Sequence, residues 1–238
     1  MKNHSIIHDP RILLNYGTKF YVPLAMLFVS LLIIVNIIVQ KIIYVGGGLL
    51  LTAADVIYPL VYILDVIITE VYGYAMSRRV IWGAFFCNII IVGIIIFAIY
   101  LPSNPVWHDQ NSFVQILGQE PKFVIASLMA FLTGEFVGSY IIAKMKVFTA
   151  GKYLWLRTTS AALIAQVIDC SIFTSIAFYG TLGFHNILLM AFTIYWIKIV
   201  YQIIATPGIC SFAKFLKKRE GVDVYDRHTN FNPLILER

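Results

Sequence analysis

An all-α integral membrane protein with six transmembrane helices is the architecture this sequence predicts. Three observations carry that reading. Of the 238 residues, 60% are hydrophobic and only 13% are charged, against about 45–50% apolar and about 25% charged in an ordinary soluble domain. The apolar residues gather into six runs, each close to the ~20 residues a spanning helix needs. The basic residues between the runs fall almost entirely on one side, as cytoplasmic loops require.

The runs are Phe20–Ile42, Val56–Ala75, Val80–Leu101, Lys122–Ala143, Thr158–Gly180 and His185–Thr206. With the N-terminus inside, 15 of the 18 Lys and Arg lie in inside segments. Only Lys41 and Lys122 lie outside, and Lys198 falls within the last span. Both ends are therefore expected in the cytoplasm. The expected organisation is a cytoplasmic segment at 1–19, a transmembrane domain at 20–206 and a basic tail at 207–238. The start, Met1-Lys2-Asn3-His4, has no short apolar stretch with a small-residue cleavage site, so no removable signal peptide is expected. Gly46-Gly47-Gly48 after the first span predicts a tight or mobile external connection. The largest outside loop, Pro102–Pro121, is polar, with one interfacial turn expected at Phe113, Ile116 and Leu117. The tail beyond Lys214 is expected either against anionic headgroups or as a solvated basic anchor.

Several chemistries are excluded. Cys87, Cys170 and Cys210 form no disulfide framework and no metal spacing. Gly151-Lys152 is followed by Tyr153 and lacks the upstream glycine of a P-loop. No arginine ladder and no selectivity-filter repeat is present. No cofactor, metal site or catalytic residue is predicted. The net charge of +6 is explained by the inside loops rather than by contact with nucleic acid. A carrier is the default, with an intramembrane enzyme or a scaffold as lesser alternatives.

Five ionisable residues interrupt the spans: Asp65 and Glu70 in the second, Glu135 in the fourth, Asp169 in the fifth and Lys198 in the sixth. Each costs about 2.5–3.5 kcal/mol near the bilayer centre, so they must pair, be protonated or face an interior space. Counted from the outer end of each span, they lie within roughly 8 Å of depth. Polar and aromatic neighbours follow at helical spacing: Tyr62 and Thr69 around Asp65, Gln166 and Phe173 around Asp169, Tyr195 and Gln202 around Lys198. Asn36 and Asn88 add amides, Asn88 and Asp55 being read as structural. Such a lining suits a flat, polar, aromatic ligand. Four carboxylates against one amine also imply a protonated carboxyl and hence proton coupling. Glu70-Val71-Tyr72-Gly73 is echoed by Glu135-Phe136-Val137-Gly138, a pointer toward an internal repeat.

The order of motifs resembles the VUT family, the queuosine precursor transporters. The resemblance rests on Asn36–Lys41, on Asp65–Gly73 followed by Arg78-Arg79, and on Gln166–Asp169 with Ala177–Gly180. It continues through Lys198 with Thr206-Pro207 and the tail Glu220, Asp223, Tyr225-Asp226 and Asn230–Pro233. Leu64 and Gln202 depart from the pattern, which has a small polar residue and an acid there. The resemblance implies a six-helix inner-membrane protein with a fold similar to vitamin-uptake substrate-binding subunits. Its ligand would be a 7-deazapurine base: 7-cyano-7-deazaguanine, 7-aminomethyl-7-deazaguanine or queuine, salvaged for tRNA modification. The alternative is a substrate-binding subunit served by a separate ATPase. Self-association is left open. The base's N1–H and amine would meet a carboxylate from Glu70, Glu135 or Asp169. Its carbonyl would meet Lys198, Gln166 or Asn36, and its ring would stack on Tyr62, Phe173, Tyr195 or Trp196. Asp65 would suit a cationic aminomethyl group.

Overall fold

A computed structural model describes residues 5–7, 18–39, 41–44, 50–118, 121–180, 183–227 and 229–234. The chain runs β1 (Ser5–Ile7), α1 (Tyr21–Ile38), β2 (Ile42–Tyr44), β3 (Leu50–Thr52), α2 (Ala53–Tyr72), α3 (Tyr74–Tyr100), α4 (Gln110–Leu117), α5 (Pro121–Phe148), α6 (Leu154–Phe178), α7 (Phe184–Glu220) and β4 (Val222–Val224). Among the described residues, α1, α3, α5, α6 and α7 are long and apolar enough to cross a membrane. Their outward faces carry large exposed hydrophobics such as Met26, Ile94, Phe97 and Ile204, as lipid contact requires. This is a multi-pass membrane protein.

The central helix is α2. It is 20 residues long, about 30 Å at 1.5 Å per residue, and its stretch Leu64–Tyr72 is wholly buried. A helix buried on all sides needs neighbours on all sides, and α1, α3, α5 and α7 all pack against it. Its start is marked by Thr52, whose N–H donates to the Asp55 carboxylate at 2.8 Å, satisfying a donor that the first turn leaves open. Asp55 is thus a cap. The α5–α6 pair approaches closely through small residues. Ala126, Ala130, Gly134 and Gly138 recur every fourth position on α5 and are buried, and the two glycines meet Ala165 and Asp169 of α6. A Cβ on Gly134 would lie 3.2 Å from the Asp169 Cβ, and one on Gly138 3.5 Å from the Ala165 Cβ. Small residues replace hydrophobic driving force in lipid by letting backbones approach.

Three boundaries differ from those the hydropathy predicts. The first helix stops at Ile38, and Ile42–Tyr44 instead pairs antiparallel with Leu50–Thr52, Ile42 opposite Thr52. β-Branched residues favour that extended pairing. The Gly46-Gly47-Gly48 connection lies outside the described residues. The second and third helices are split by one residue, Gly73, at φ 83° and ψ 169°, a region open essentially to glycine alone. Arg78 and Arg79 therefore sit on α3 rather than in a loop. The last helix continues through Pro207 to Glu220, because a proline inside a packed helix removes one hydrogen bond without ending it. The Thr206 hydroxyl donates to the Gln202 carbonyl there at 2.8 Å. The expected interfacial turn is α4, where Phe113 meets Trp107 edge-on with centroids 5.8 Å apart.

The tail leaves the basic end of α7, where Lys214, Lys218 and Arg219 are exposed. Its described residues then fold back as a strap across the bundle end where β1 lies. β4 pairs parallel with β1, Ser5 opposite Val222. Asp226 accepts the Tyr74 N–H at 3.0 Å, Arg78 donates to the carbonyls of Asn230 and Asn232 at 2.9 and 2.6 Å, and Trp82 donates to the Pro233 carbonyl at 2.7 Å. Phe231 packs on Tyr74 and Tyr140.

A Cβ on Gly73 would lie 2.7 Å from Val224, so Gly73→Ala is expected to lower stability by about 1–3 kcal/mol. Gly93→Ala, with nothing within 4 Å of its Cβ, should be neutral or mildly stabilising. Thermal unfolding of the detergent-purified protein measures both.

Candidate functional site

Four helices place ionisable groups inside the bundle. α2 brings Asp65, α5 brings Glu135, α6 brings Asp169 and α7 brings Lys198, all buried. They are neighbours. The Lys198 ammonium donates to Asp169 at 2.7 Å and sits 4.2 Å from the centre of the Tyr58 ring, a cation–π contact. The Tyr58 hydroxyl lies within reach of the Asp169 carboxylate. Asp65 accepts hydrogen bonds from Ser77 at 2.6 Å and Ser139 at 2.8 Å, tying α2 to α3 and α5. Its carboxyl is also within hydrogen-bonding reach of Glu135. Tyr62 lies beside both carboxyls, and Gln166 stands one turn before Asp169 on the same face of α6.

Around this cluster several buried polar atoms have no hydrogen-bond partner among the described residues: Tyr62 Oη, Thr69 Oγ1, Glu135 Oε2, Gln166 Oε1 and Gln202 Nε2. Each such atom costs about 1–3 kcal/mol when left unmet in a dry interior. Five of them on the four helices that carry the charges mark a place prepared for a polar guest or for water. The set mixes acceptors on α5 and α6 with a donor on α7, so it favours a ligand with donors along one edge and an acceptor along another.

Glu70 stands apart. It is five residues from Asp65, about 140° around the helix, and so points away from the cluster. A count of depth alone does not register this turn. Its Oε1 receives Arg157 of α6 at 2.8 Å and Lys217 of α7, with Lys146 of α5 at 3.7 Å. Lys146 also donates to the Glu70 carbonyl. Asp223 of the strap pairs with Lys146 at 2.7 Å and Lys217 at 2.8 Å. Burial works against the Asp223 charge, but Lys146 and Lys217 outweigh it and hold this carboxyl below the usual carboxylate range. Glu70 is thus the centre of a second, cationic hub next to the strap.

Other candidates also lie elsewhere. The Asn36 amide donates to Asn88 at 2.5 Å and accepts from Ser127 at 2.9 Å, joining α1, α3 and α5. Trp196 is 48% exposed, because two residues before Lys198 is about 200° around the helix. Tyr195 is half-buried and meets Trp196 edge-on, and Phe173 meets Phe178. The two E-x-x-G motifs are not equivalent either: Gly73 breaks a helix, whereas Gly138 packs in mid-helix against Ala165 and Tyr62. Sequence reasoning missed Tyr58, Ser77, Ser139, Lys146, Arg157 and Lys217. Of these, Tyr58 was detectable, since Tyr58, Tyr62, Asp65 and Thr69 follow the 4-3-4 spacing of one helix face.

Comparison with known proteins fits a bundle of this kind. A family model described as "Putative vitamin uptake transporter" matches residues 52–212. The chain belongs to this vitamin uptake transporter family. A "Probable queuosine precursor transporter" of Bacillus subtilis (strain 168) is 26% identical over 180 residues, covering 73% of this chain and 76% of the relative. No solved structure matches the chain significantly. The protein is therefore a membrane transporter and not an enzyme. The family match holds the whole polar cluster, together with Glu70, Lys146 and Arg157. It stops before Lys217 and the strap.

Removing one member of the Lys198–Asp169 pair strands a buried charge, which costs about 3–5 kcal/mol. Lys198→Met and Asp169→Leu should each lower the melting temperature strongly. The double variant should recover most of the loss. Thermal unfolding of the four proteins reads the coupling directly.

Proposed function

We propose that this transporter imports 7-deazaguanine bases, the precursors of queuosine, for salvage into tRNA modification. The observation that carries the reading is the set of unmet buried polar atoms around the Asp169–Lys198 pair. A 7-deazaguanine offers N1–H and an exocyclic amine side by side, two donors that one carboxylate accepts together. Glu135, with an oxygen that no donor reaches, fits that role. Glu70 differs in having three cations around its Oε1. Gln202 and Lys198 supply donors for the base's carbonyl, Gln166 supplies a further acceptor, and Tyr58 and Tyr62 offer aromatic faces. The name of the Bacillus relative supports the same substrate class.

The topology read here is six crossings of the inner membrane, with both ends in the cytoplasm. α2 is the sixth crossing, set apart from the other five by its three carboxylates, Asp55, Asp65 and Glu70. An even number of crossings is supported by the pairing of β1 with β4, which brings both ends of the chain to one side. Residues 20–206 form the transport domain, flanked by cytoplasmic segments. Alternating access around the cluster needs no ATPase subunit. Coupling runs through Asp65 and Glu135: two carboxyl groups in contact away from water share a proton, and binding of a base to Glu135 competes with that sharing.

The test is uptake in cells unable to make queuosine, supplied in turn with each precursor, with queuosine in tRNA as the readout. Purified protein in liposomes should transport without ATP. Glu135→Gln is expected to weaken base binding about 10- to 100-fold with normal amounts in the membrane. Collapse of the proton gradient should slow uptake by the wild type. Uptake that ignores both changes refutes the site and the coupling.

A further inference from the structure

Each of the four helices that supply the polar cluster also supplies one residue to the hub beneath it. α2 gives Asp65 and then Glu70, α5 gives Glu135 and then Lys146, α6 gives Asp169 and Arg157, and α7 gives Lys198 and Lys217. A solute leaving the cluster between these helices toward the strap end meets the hub in its path. Glu70 and Arg157 are fully buried there, and Lys146 nearly so. The strap then covers the hub from outside. Asp223 holds Lys146 and Lys217 together, and the Tyr225 ring lies 5.0 Å under the Lys146 ammonium. A Cβ on Gly151, in the turn between α5 and α6, would sit 2.0 Å from the Tyr225 hydroxyl. Val224 and Asp226 close on the Gly73 elbow between α2 and α3. One segment therefore fastens α2, α3, α5 and α7 at the end where they would have to part.

We propose that the Glu70 hub and the strap at 222–227 and 229–234 form the inner gate of the carrier, closed in this structure. The inference rests on the transport reading above, and it assigns Glu70 to gating rather than to the substrate. Hub residues approach from four helices, so any outward swing of α5, α6 or α7 at this end separates a cation from Glu70. Asp223 is the weak point: its side chain is 23% exposed while the other hub carboxylate has no exposure, so water can replace its contacts first. Release of the strap thus precedes separation of the hub.

Cys170 provides a native reporter. It is buried, follows Asp169, and lies near the Lys198 ammonium. In full-length protein carrying Cys87→Ser and Cys210→Ser, a membrane-impermeant methanethiosulfonate is applied to inside-out vesicles. Slow labelling of Cys170 is expected in this background. Asp223→Asn and Glu70→Gln should each speed it at least about tenfold, because each removes a partner of a buried ion cluster. Unchanged labelling in both variants, when both remain monodisperse in detergent, overturns the gate. A second arm does not depend on weakening the fold. Tyr140 and Phe231 have ring centres 5.2 Å apart, and the paired substitutions Tyr140→Cys and Phe231→Cys, in a background carrying Cys87→Ser, Cys170→Ser and Cys210→Ser, can be joined by a reducible cross-linker. Joining is expected to stop uptake while leaving base binding intact, and reduction should restore uptake. Full uptake by the cross-linked protein overturns the proposal. Labelling uses no substrate, so a wrong substrate assignment leaves that arm readable, and failure of every base to bind would refute the substrate and not the gate.

Discussion

Two carboxylates on one buried helix set the constraint that the remainder of the bundle answers. α2 is surrounded by other helices and is buried along Leu64–Tyr72, yet it carries Asp65 and Glu70 in that stretch. In lipid neither charge can be left uncompensated. Glu70 is answered by cations from three other helices. Asp65 is answered differently, by two hydroxyls from α3 and α5 and by the neighbouring Glu135. These partners fix which helices must touch α2 and how they are rotated, so the polar chemistry also specifies the packing.

The two solutions have different consequences. The Glu70 hub gathers three cations on Oε1 while Glu70 Oε2 and Arg157 Nε have no hydrogen-bond partner among the described residues, and such a cluster resists rearrangement because each cation that leaves strands buried charge. The Asp65–Glu135–Asp169–Lys198 layer is under-saturated, with acceptors and a donor still unmet. A closure beneath an unfinished polar layer is what the proposed alternating access needs at one end of the bundle. The close α5–α6 contact through glycine and alanine supports that layer: it presents Glu135 and Asp169 from adjacent helices whose backbones cannot approach as closely with larger residues.

Much of the architecture was legible along the chain. Long apolar runs and the bias of Lys and Arg to one side pointed to a multi-pass helical bundle, and the ionisable interruptions pointed to the polar interior. Helical spacing also placed Tyr62, Asp65 and Thr69 on one face. What misled was treating depth as position. Glu70 and Trp196 lie at suitable heights, yet a turn of about 140° or about 200° sends one to the hub and the other toward lipid. The cations Lys146, Arg157 and Lys217 read as loop charges because each sits near the end of a helix. Only the tertiary structure shows Lys146 and Arg157 buried and Lys217 half-buried against Glu70.

Composition and order along the chain alone determined that this is a membrane-embedded helical protein with charges it must shelter, because transfer into lipid depends on residue type and run length. Which charges meet was decided only by the tertiary structure. Pairing depends on helix rotation and on close approach between segments far apart in sequence, as when Asp223 and Glu70 share Lys146 and Lys217. The folding back of the tail was decided in the same way. A polar segment after a basic helix is equally compatible with water and headgroups. It becomes a strap because the Gly73 elbow, Arg78 and Trp82 present donors and space that only the assembled bundle creates.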